Sequence, residues 1–371
     1  MKFLCDSTNF QNTIQNAYDF CSQKSLSSTS FILLDLNGNN LNVRATDGKI
    51  GFDSNIEVEG KKDGSIALPC DKFLNIIKTF SDEKIIVEQK DIEFVTIKSD
   101  SRLASFKIKY NTAQTFEKKE EIGVKEHIEI DSKEFVKMIN QAIISVSDNA
   151  SDDTKSIYTG VYLEKKDNNI YMVSTDGKSM SYVEGKIEEK SKLEDKSVII
   201  PNKFLKEVVK IFKNEEILDI YIKDNVIFVR NDDTIIYSVL FKGSFPNYQK
   251  VLNTPRMHSI VYKVEDMNRA LKSVILMADN VNKKIIIAIK NGVTVISASD
   301  NELGSASDEI TTDYDGDEVK FAVNYKYIVN QVRAFTCDYF KMEFNDMTTS
   351  IKLIPTNEER YCHIIMPMNL D

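Results

Sequence analysis

Histidine is scarce in this chain: there are three in 371 residues, His127, His258 and His363, none near another or near a cysteine pair. Zinc sites draw on clustered histidine and cysteine, so a metal enzyme has little to be built from, and no metal or cofactor is expected. Cysteine is equally thin. Cys5, Cys21, Cys70, Cys337 and Cys362 are odd in number, widely scattered and form no CxxC pair, which fits a reducing cytoplasm better than a disulfide framework. No apolar run approaches the roughly 18 residues of a membrane span. The opening MKFLCDSTNF, with one lysine and few apolar residues, does not read as a secretory signal. Positive charge is in deficit too, with 48 Lys and Arg against 57 Asp and Glu. A net charge of -9 would ordinarily speak against nucleic acid, because phosphate binding rests on lysine and arginine.

What is present is an internal repeat. A strand running into a helix occurs three times: SIALPCDKFLNIIKTF ending at Phe80, SVIIPNKFLKEVVKIF ending at Phe212 and VKFAVNYKYIVNQVRAF ending at Phe335. The shared core is lysine, aromatic, aliphatic, at Lys72-Phe73-Leu74, Lys203-Phe204-Leu205 and Lys326-Tyr327-Ile328. Each copy is followed by an alternating strand, KIIVEQ, ILDIYIK or YFKMEFN, the period-2 pattern of a half-buried sheet. A second helix precedes each copy, from Thr8, Ser132 and Glu265; in the middle one Phe135, Met138, Ile139, Ala142 and Ile143 fall at helical spacing. Such a period means three similar units of about 120 residues. The boundaries fall near residues 122 and 250, giving domains 1–122, 123–250 and 251–371. The expected fold class is α+β, each domain carrying two helices packed on β-sheets.

Between the helices of each unit lies a hairpin element: Thr46-Asp47-Gly48, Thr175-Asp176-Gly177 and Ser299-Asp300-Asn301. Aspartate bonds nearby backbone amides and glycine tolerates positive φ, so these read as turns. The sharper alternative is a magnesium-dependent nuclease built on Asp47, Asp176 and Asp300, which would need carboxylates from different repeats to converge. A third alternative is a peptide-binding scaffold that never touches DNA.

Charge is segregated by element. The six helical windows, 8–24, 70–80, 131–147, 201–213, 263–280 and 324–335, hold 14 basic and 8 acidic residues, against 34 and 49 in the rest of the chain. Lys203, Lys206, Lys210 and Lys213 recur at steps of three and four, which sets them on one stripe apart from Phe204, Leu205, Val208 and Phe212. Lys72, Arg269, Lys272, Lys326 and Arg333 follow the same logic. A plain solvated face explains any one helix; recurrence in all three units favours a shared basic surface for phosphates, which positions double-stranded DNA without reading its sequence.

Four motifs in order on the three repeats, TDGKSM at 175–180, GSFPNYQKVL at 243–252, VNYKYIV at 323–329 and MPM at 366–368, resemble the beta subunit of bacterial DNA polymerase III, the sliding clamp. The resemblance spans essentially the whole chain. It implies a head-to-tail homodimer whose six domains close a ring lined by twelve helices, with no catalysis. It further implies opening by an ATP-driven clamp loader and tethering of the replicative DNA polymerase. Other proteins with clamp-binding motifs would share a pocket between the second and third domains. The positions matching that pocket are Tyr158, Thr175, Gly177, Lys178, Met180, Pro246, Val251, Asn324, Tyr327, Thr348, Ser350, Ile364, Met366, Pro367, Met368 and Leu370. Methionine is an adaptable gap filler, suited to a groove used by several partners.

By the same resemblance the dimer contact falls on Phe106 and Ile108 and on Ile275 and Leu276, and Lys24 matches a DNA-contact arginine. The chain departs from the family pattern at Ser179 and Asn369, where basic residues are usual, and at the acidic Asp371. The loop SDNASDDTKS is also more acidic than a DNA-facing turn should be.

Overall fold

The computed structural model describes residues 1–22, 28–81, 83–116, 121–148, 153–188, 191–300 and 304–370. Its α-helices are α1 (Ser7–Asp19), α2 (Cys70–Ile77), α3 (Ser132–Ala142), α4 (Asn202–Phe212), α5 (Tyr248–Leu252), α6 (Val264–Val274) and α7 (Tyr325–Ala334). The three strand-to-helix copies are Gly64–Pro69 into α2, Lys196–Pro201 into α4 and Val319–Asn324 into α7. Two helices end sooner than their apolar pattern does. Ile143–Ser145 after α3 and Ile275–Met277 after α6 tighten into 3-10 turns, a common way to close a helix whose last carbonyls lack partners.

The chain forms two compact units. The first comprises Met1–Lys133, Glu188–Leu193 and Lys203–Leu240. Its larger sheet has nine strands in the order Asn111–Thr112, Gly64–Pro69, Phe31–Asn37, Asn40–Thr46, Ile50–Glu57, Thr234–Val239, Val226–Arg230, Ile217–Lys223 and Ile128–Asp131. Its smaller sheet runs Glu59–Lys62, Lys2–Asp6, Lys84–Gln89, Phe94–Ser99 and Ser105–Lys109, so Ser105–Lys109 is an edge strand. Helix α1 starts where Asp6 accepts hydrogen bonds from the Thr8 and Asn9 amides, satisfying donors that the first turn cannot pair internally. It buries Phe10, Ile14 and Ala17, one stripe at helical spacing. Phe10 meets Phe3 and Phe73 edge-on, with centroids 5.8 and 5.9 Å apart.

The second unit comprises Glu134–Ile187, Glu194–Asn202 and Phe241–Asp371. An eight-stranded sheet runs Lys196–Pro201, Gly160–Lys166, Asn169–Thr175, Ser179–Lys186, Tyr361–Ile365, Ile351–Pro355, Tyr339–Phe344 and His258–Lys263. A four-stranded sheet runs Gly304–Thr311, Val293–Asp300, Lys284–Lys290 and Val319–Asn324. In both units the strand that leaves a Thr-Asp-Gly turn carries its sheet into the next repeat. Ile50–Glu57 pairs with Thr234–Val239, and Ser179–Lys186 pairs with Tyr361–Ile365. No described helix is long and apolar enough to cross a membrane.

Candidate functional site

The turn after Asn169–Thr175 is held by its own side chains. The Asp176 carboxylate accepts from the Lys178 and Ser179 amides at 2.9 and 2.7 Å, and Thr175 Oγ1 accepts from the Gly177 amide while donating to the Ser179 carbonyl. Gly177 has φ +87°, a conformation that a β-carbon would strain. Tyr327 of α7 hydrogen-bonds Asp176; burial first, and that carboxylate second, push its phenol pKa up. The equivalent turn in the first unit is built alike, with Asp47 accepting from the Lys49 and Ile50 amides and Gly48 at φ +87°. Asp47 and Asp176 thus act as turn anchors, the role that their spacing predicts.

Beyond the turn, Met180 stands opposite Ile364 across the Ser179–Lys186 and Tyr361–Ile365 pair. Alternation sends these two to one face of the sheet. There they bury with Val173 and Tyr248, and Tyr162, Tyr182, Phe245, Val251 and Leu252 pack against them. Tyr162 stacks on Phe245 at 4.9 Å. Tyr248, the buried residue of α5, donates to Glu164 Oε2 at 2.6 Å, giving its polar tip a partner while its ring fills the floor. Arg256 fastens α5 in place. Its guanidinium donates to the Ser350 carbonyl and hydroxyl at 2.8 Å each, to the Thr254 carbonyl at 2.8 Å and to the Val251 carbonyl at 3.3 Å.

The result is a cavity of about 390 Å³ lined by the turn at Thr175–Ser179, Met180, residues 245–248, Val251, Ile364, Met366 and Tyr158. Its size and apolar walls with a few polar groups suit a small ligand or a few side chains of a peptide. Met366 crosses the rim, its amide bonded to the Lys178 carbonyl at 2.8 Å and the residue 42% exposed.

Nine residues expected from the sequence meet here: Tyr158, Thr175, Gly177, Lys178, Met180, Pro246, Val251, Ile364 and Met366. Pro367, Met368 and Leu370 continue along the terminal segment, which is pinned by the Met368 amide on the Ala322 carbonyl and by Lys284 on the Leu370 carbonyl. Asn324 caps α7, and Thr348 lies in a turn closed on Asp346. Ser350 is buried and holds Arg256 rather than lining the cavity. Phe245, Asn247 and Tyr248 line the site without having been singled out, although GSFPNYQKVL contains them. Ser179, a departure from the family pattern, lines it as well. Asp371 falls outside the described residues.

The basic set is exposed as its spacing predicts. Lys72, Lys203, Lys206, Lys210, Arg269, Lys272, Lys326 and Arg333 all face solvent, while Phe204, Leu205, Val208 and Phe212 are buried. Three of these cations already have carboxylate partners: Lys203 with Asp47 at 3.0 Å, Lys210 with Asp19, and Arg269 with Asp308 at 2.7 Å. Burial works against the charged Asp47 carboxyl, but hydrogen bonds from the Ile50 amide and Lys203 hold its pKa below the usual range. Lys24 and residues 149–152 of the acidic loop lie outside the described residues. Of the expected contact residues, Phe106 is half-buried against Phe80 at 5.8 Å, Ile108 is buried on the same edge strand, Ile275 is half-buried and Leu276 is 76% exposed.

Family models match nearly the whole chain in three consecutive pieces. The N-terminal domain of the DNA polymerase III beta subunit matches residues 1–119, the central domain 129–247 and the C-terminal domain 249–369. The beta sliding clamp of Treponema pallidum (strain Nichols) is 29% identical over 378 residues, covering 100% of both chains. That of Haemophilus influenzae is 24% identical over 347 residues, covering 91% of each. Among solved structures, a DnaN sliding clamp from Pseudomonas aeruginosa bound to griselimycin superposes with a TM-score of 0.94 at 18% identity, covering 100% of both chains. A Thermotoga maritima DNA polymerase III beta subunit gives 0.91 at 20% identity over the same share. The fold is therefore that of the DNA sliding clamps, a three-domain α+β architecture. Within that class, the chain belongs to the family of the bacterial DNA polymerase III beta subunit.

Proposed function

We propose that this chain is the non-catalytic processivity factor of a replicative DNA polymerase. Two copies close head to tail into a ring that encircles duplex DNA and slides on it. The domains run 1–122, 123–250 and 251–371, and the protein works in the cytoplasm. The observation that carries the reading is the cavity rimmed by Met366, because a clamp without catalysis acts through what it holds. Its apolar floor and polar rim suit a short peptide with a hydrophobic end, offered in turn by the polymerase, the clamp loader and other proteins that share the motif.

The edges of the two small sheets support the dimer. Ser105–Lys109 presents Lys107 and Lys109, whereas Gly304–Thr311 presents Glu309. An open edge of one sign facing an edge of the other favours heterologous pairing between copies, and that pairing closes a ring if the rotation permits. Phe106, Ile108, Ile275 and Leu276 would then supply the apolar part of the contact.

On DNA, Lys72, Lys206, Lys272, Lys326 and Arg333 would meet phosphates directly. Lys203, Lys210 and Arg269 would exchange a carboxylate for a phosphate, which suits sliding because no contact becomes tight. Deletion of residues 366–371 should abolish stimulation of the polymerase and leave the sedimentation mass of the dimer unchanged. Full stimulation by that truncation, or by Met366→Ala together with Tyr248→Ala, would remove the pocket from the account.

A further inference from the structure

A second constellation lies on the edge of the nine-stranded sheet. His127, Glu129 and Asp219 bring one imidazole and two carboxylates together, with one ligand atom from each lying within 4.8 Å of the others. The local pairing explains why. Glu129 stands directly across from Asp219 in the antiparallel ladder of Ile128–Asp131 with Ile217–Lys223. His127, two residues before Glu129, shares its face and packs against Tyr221 with the rings tilted and their centroids 5.0 Å apart. The opposite face buries Ile128, Ile130, Leu218 and Ile220.

Two of the three ligands, His127 and Asp219, are oriented by a neighbour. His127 Nδ1 lies 2.9 Å from the Lys125 carbonyl, and a carbonyl can only accept, so the proton is on Nδ1. That leaves Nε2 as the ring nitrogen turned toward Asp219. This is the arrangement that metal-bound histidines use, the second nitrogen donating to a carbonyl. The Tyr221 hydroxyl donates to Asp219 Oδ2 at 3.4 Å, leaving Oδ1 toward the imidazole. Nε2 and Oδ1 are 3.6 Å apart, too long for a hydrogen bond. Two ligands held at about 2.1 Å on one tetrahedral zinc would lie roughly 3.4 Å apart. Directly opposed carboxylates on a sheet repel, so Glu129 against Asp219 adds a reason for a cation. Arg230, across from Asp219 on its other side, bonds Tyr221 and offsets one of the two negative charges.

We propose that His127, Glu129 and Asp219 bind one divalent first-row metal ion, zinc fitting the donor set best, which fastens the edge strand Ile128–Asp131 to its neighbour. With three protein donors the fourth position falls to water. Scattered histidines gave the sequence no zinc signature; the site comes from pairing residues about ninety positions apart. The test is titration of the metal-free full chain with Zn²⁺ by calorimetry and with Co²⁺ by visible ligand-field absorption. One ion per chain is expected, with affinity lower by about tenfold or more in each of His127→Ala and the near-isosteric Asp219→Asn. A rise in melting temperature with Zn²⁺ should appear in the parent and be absent from both variants. No saturable binding below millimolar Zn²⁺, or undiminished affinity in either folded variant, would overturn the assignment.

Discussion

Lowering the pH from 7.5 to 5 should cost this protein about 2 kcal/mol of stability through one side chain, His363. The strand that sends Ile364 into the pocket sends His363 to its other face, where the ring is fully buried. Ser181 Oγ contacts Nδ1 at 2.9 Å, Ser145 Oγ lies 2.8 Å from Ser181 Oγ, and the Tyr361 hydroxyl meets Nε2. Burial pushes the imidazole pKa down to about 3, so the folded protein keeps it neutral, whereas the unfolded chain protonates it near the ordinary value of about 6.5. Below that value the unfolded state binds the extra proton. Stability is therefore complete above about pH 6.5 and falls by roughly 1.4 kcal/mol per unit down toward pH 3. The carboxylates titrate mostly near pH 4, so stopping at pH 5 isolates the histidine. Urea unfolding at pH 7.5 and 5, followed for the parent and for His363→Gln, measures the effect. The parent should lose about 2 kcal/mol more than the variant does. Equal losses in the two proteins would refute a buried neutral imidazole.

Arg256→Ala removes four hydrogen bonds from the loop behind α5. It should destabilise the protein by about 2–4 kcal/mol and weaken binding of a hydrophobic partner peptide about tenfold, read by urea unfolding and fluorescence anisotropy. Unchanged peptide affinity would mean that α5 holds its position without the guanidinium. For DNA, Lys203, Lys206 and Lys210→Glu should shorten retention on circular plasmid, whereas Asp19→Asn, which frees Lys210 from its partner, should lengthen it. Retention assayed across salt concentrations checks both signs, and a longer lifetime for the glutamate triple would contradict a phosphate role for α4.

The repeated strand-to-helix units were legible because periodicity is local: the apolar stripe of α4 and the turn chemistry of Thr175-Asp176-Gly177 each occupy a few consecutive residues. What escaped was nonlocal. Lys203 meets Asp47 from 156 positions away and Lys210 meets Asp19 from 191, so a stripe that reads as free cations is partly neutralised. The pocket's Tyr248 and Phe245 sit in a five-residue helix and its approach, too short to show a period. The importance of Arg256 depends on the Ser350 backbone 94 positions on. Helix ends are equally hard to read from spacing, because Ile143–Ser145 and Ile275–Met277 tighten into 3-10 turns.

Retention on DNA of defined topology separates encirclement from binding by contact. The protein, loaded onto nicked circular plasmid and freed of unbound material by gel filtration, should comigrate with the circle as a dimer. Cutting the plasmid once should release it. Protein that stays on the linear form as long as on the circle would contradict a sliding ring and would mean that the basic helices bind DNA by contact alone.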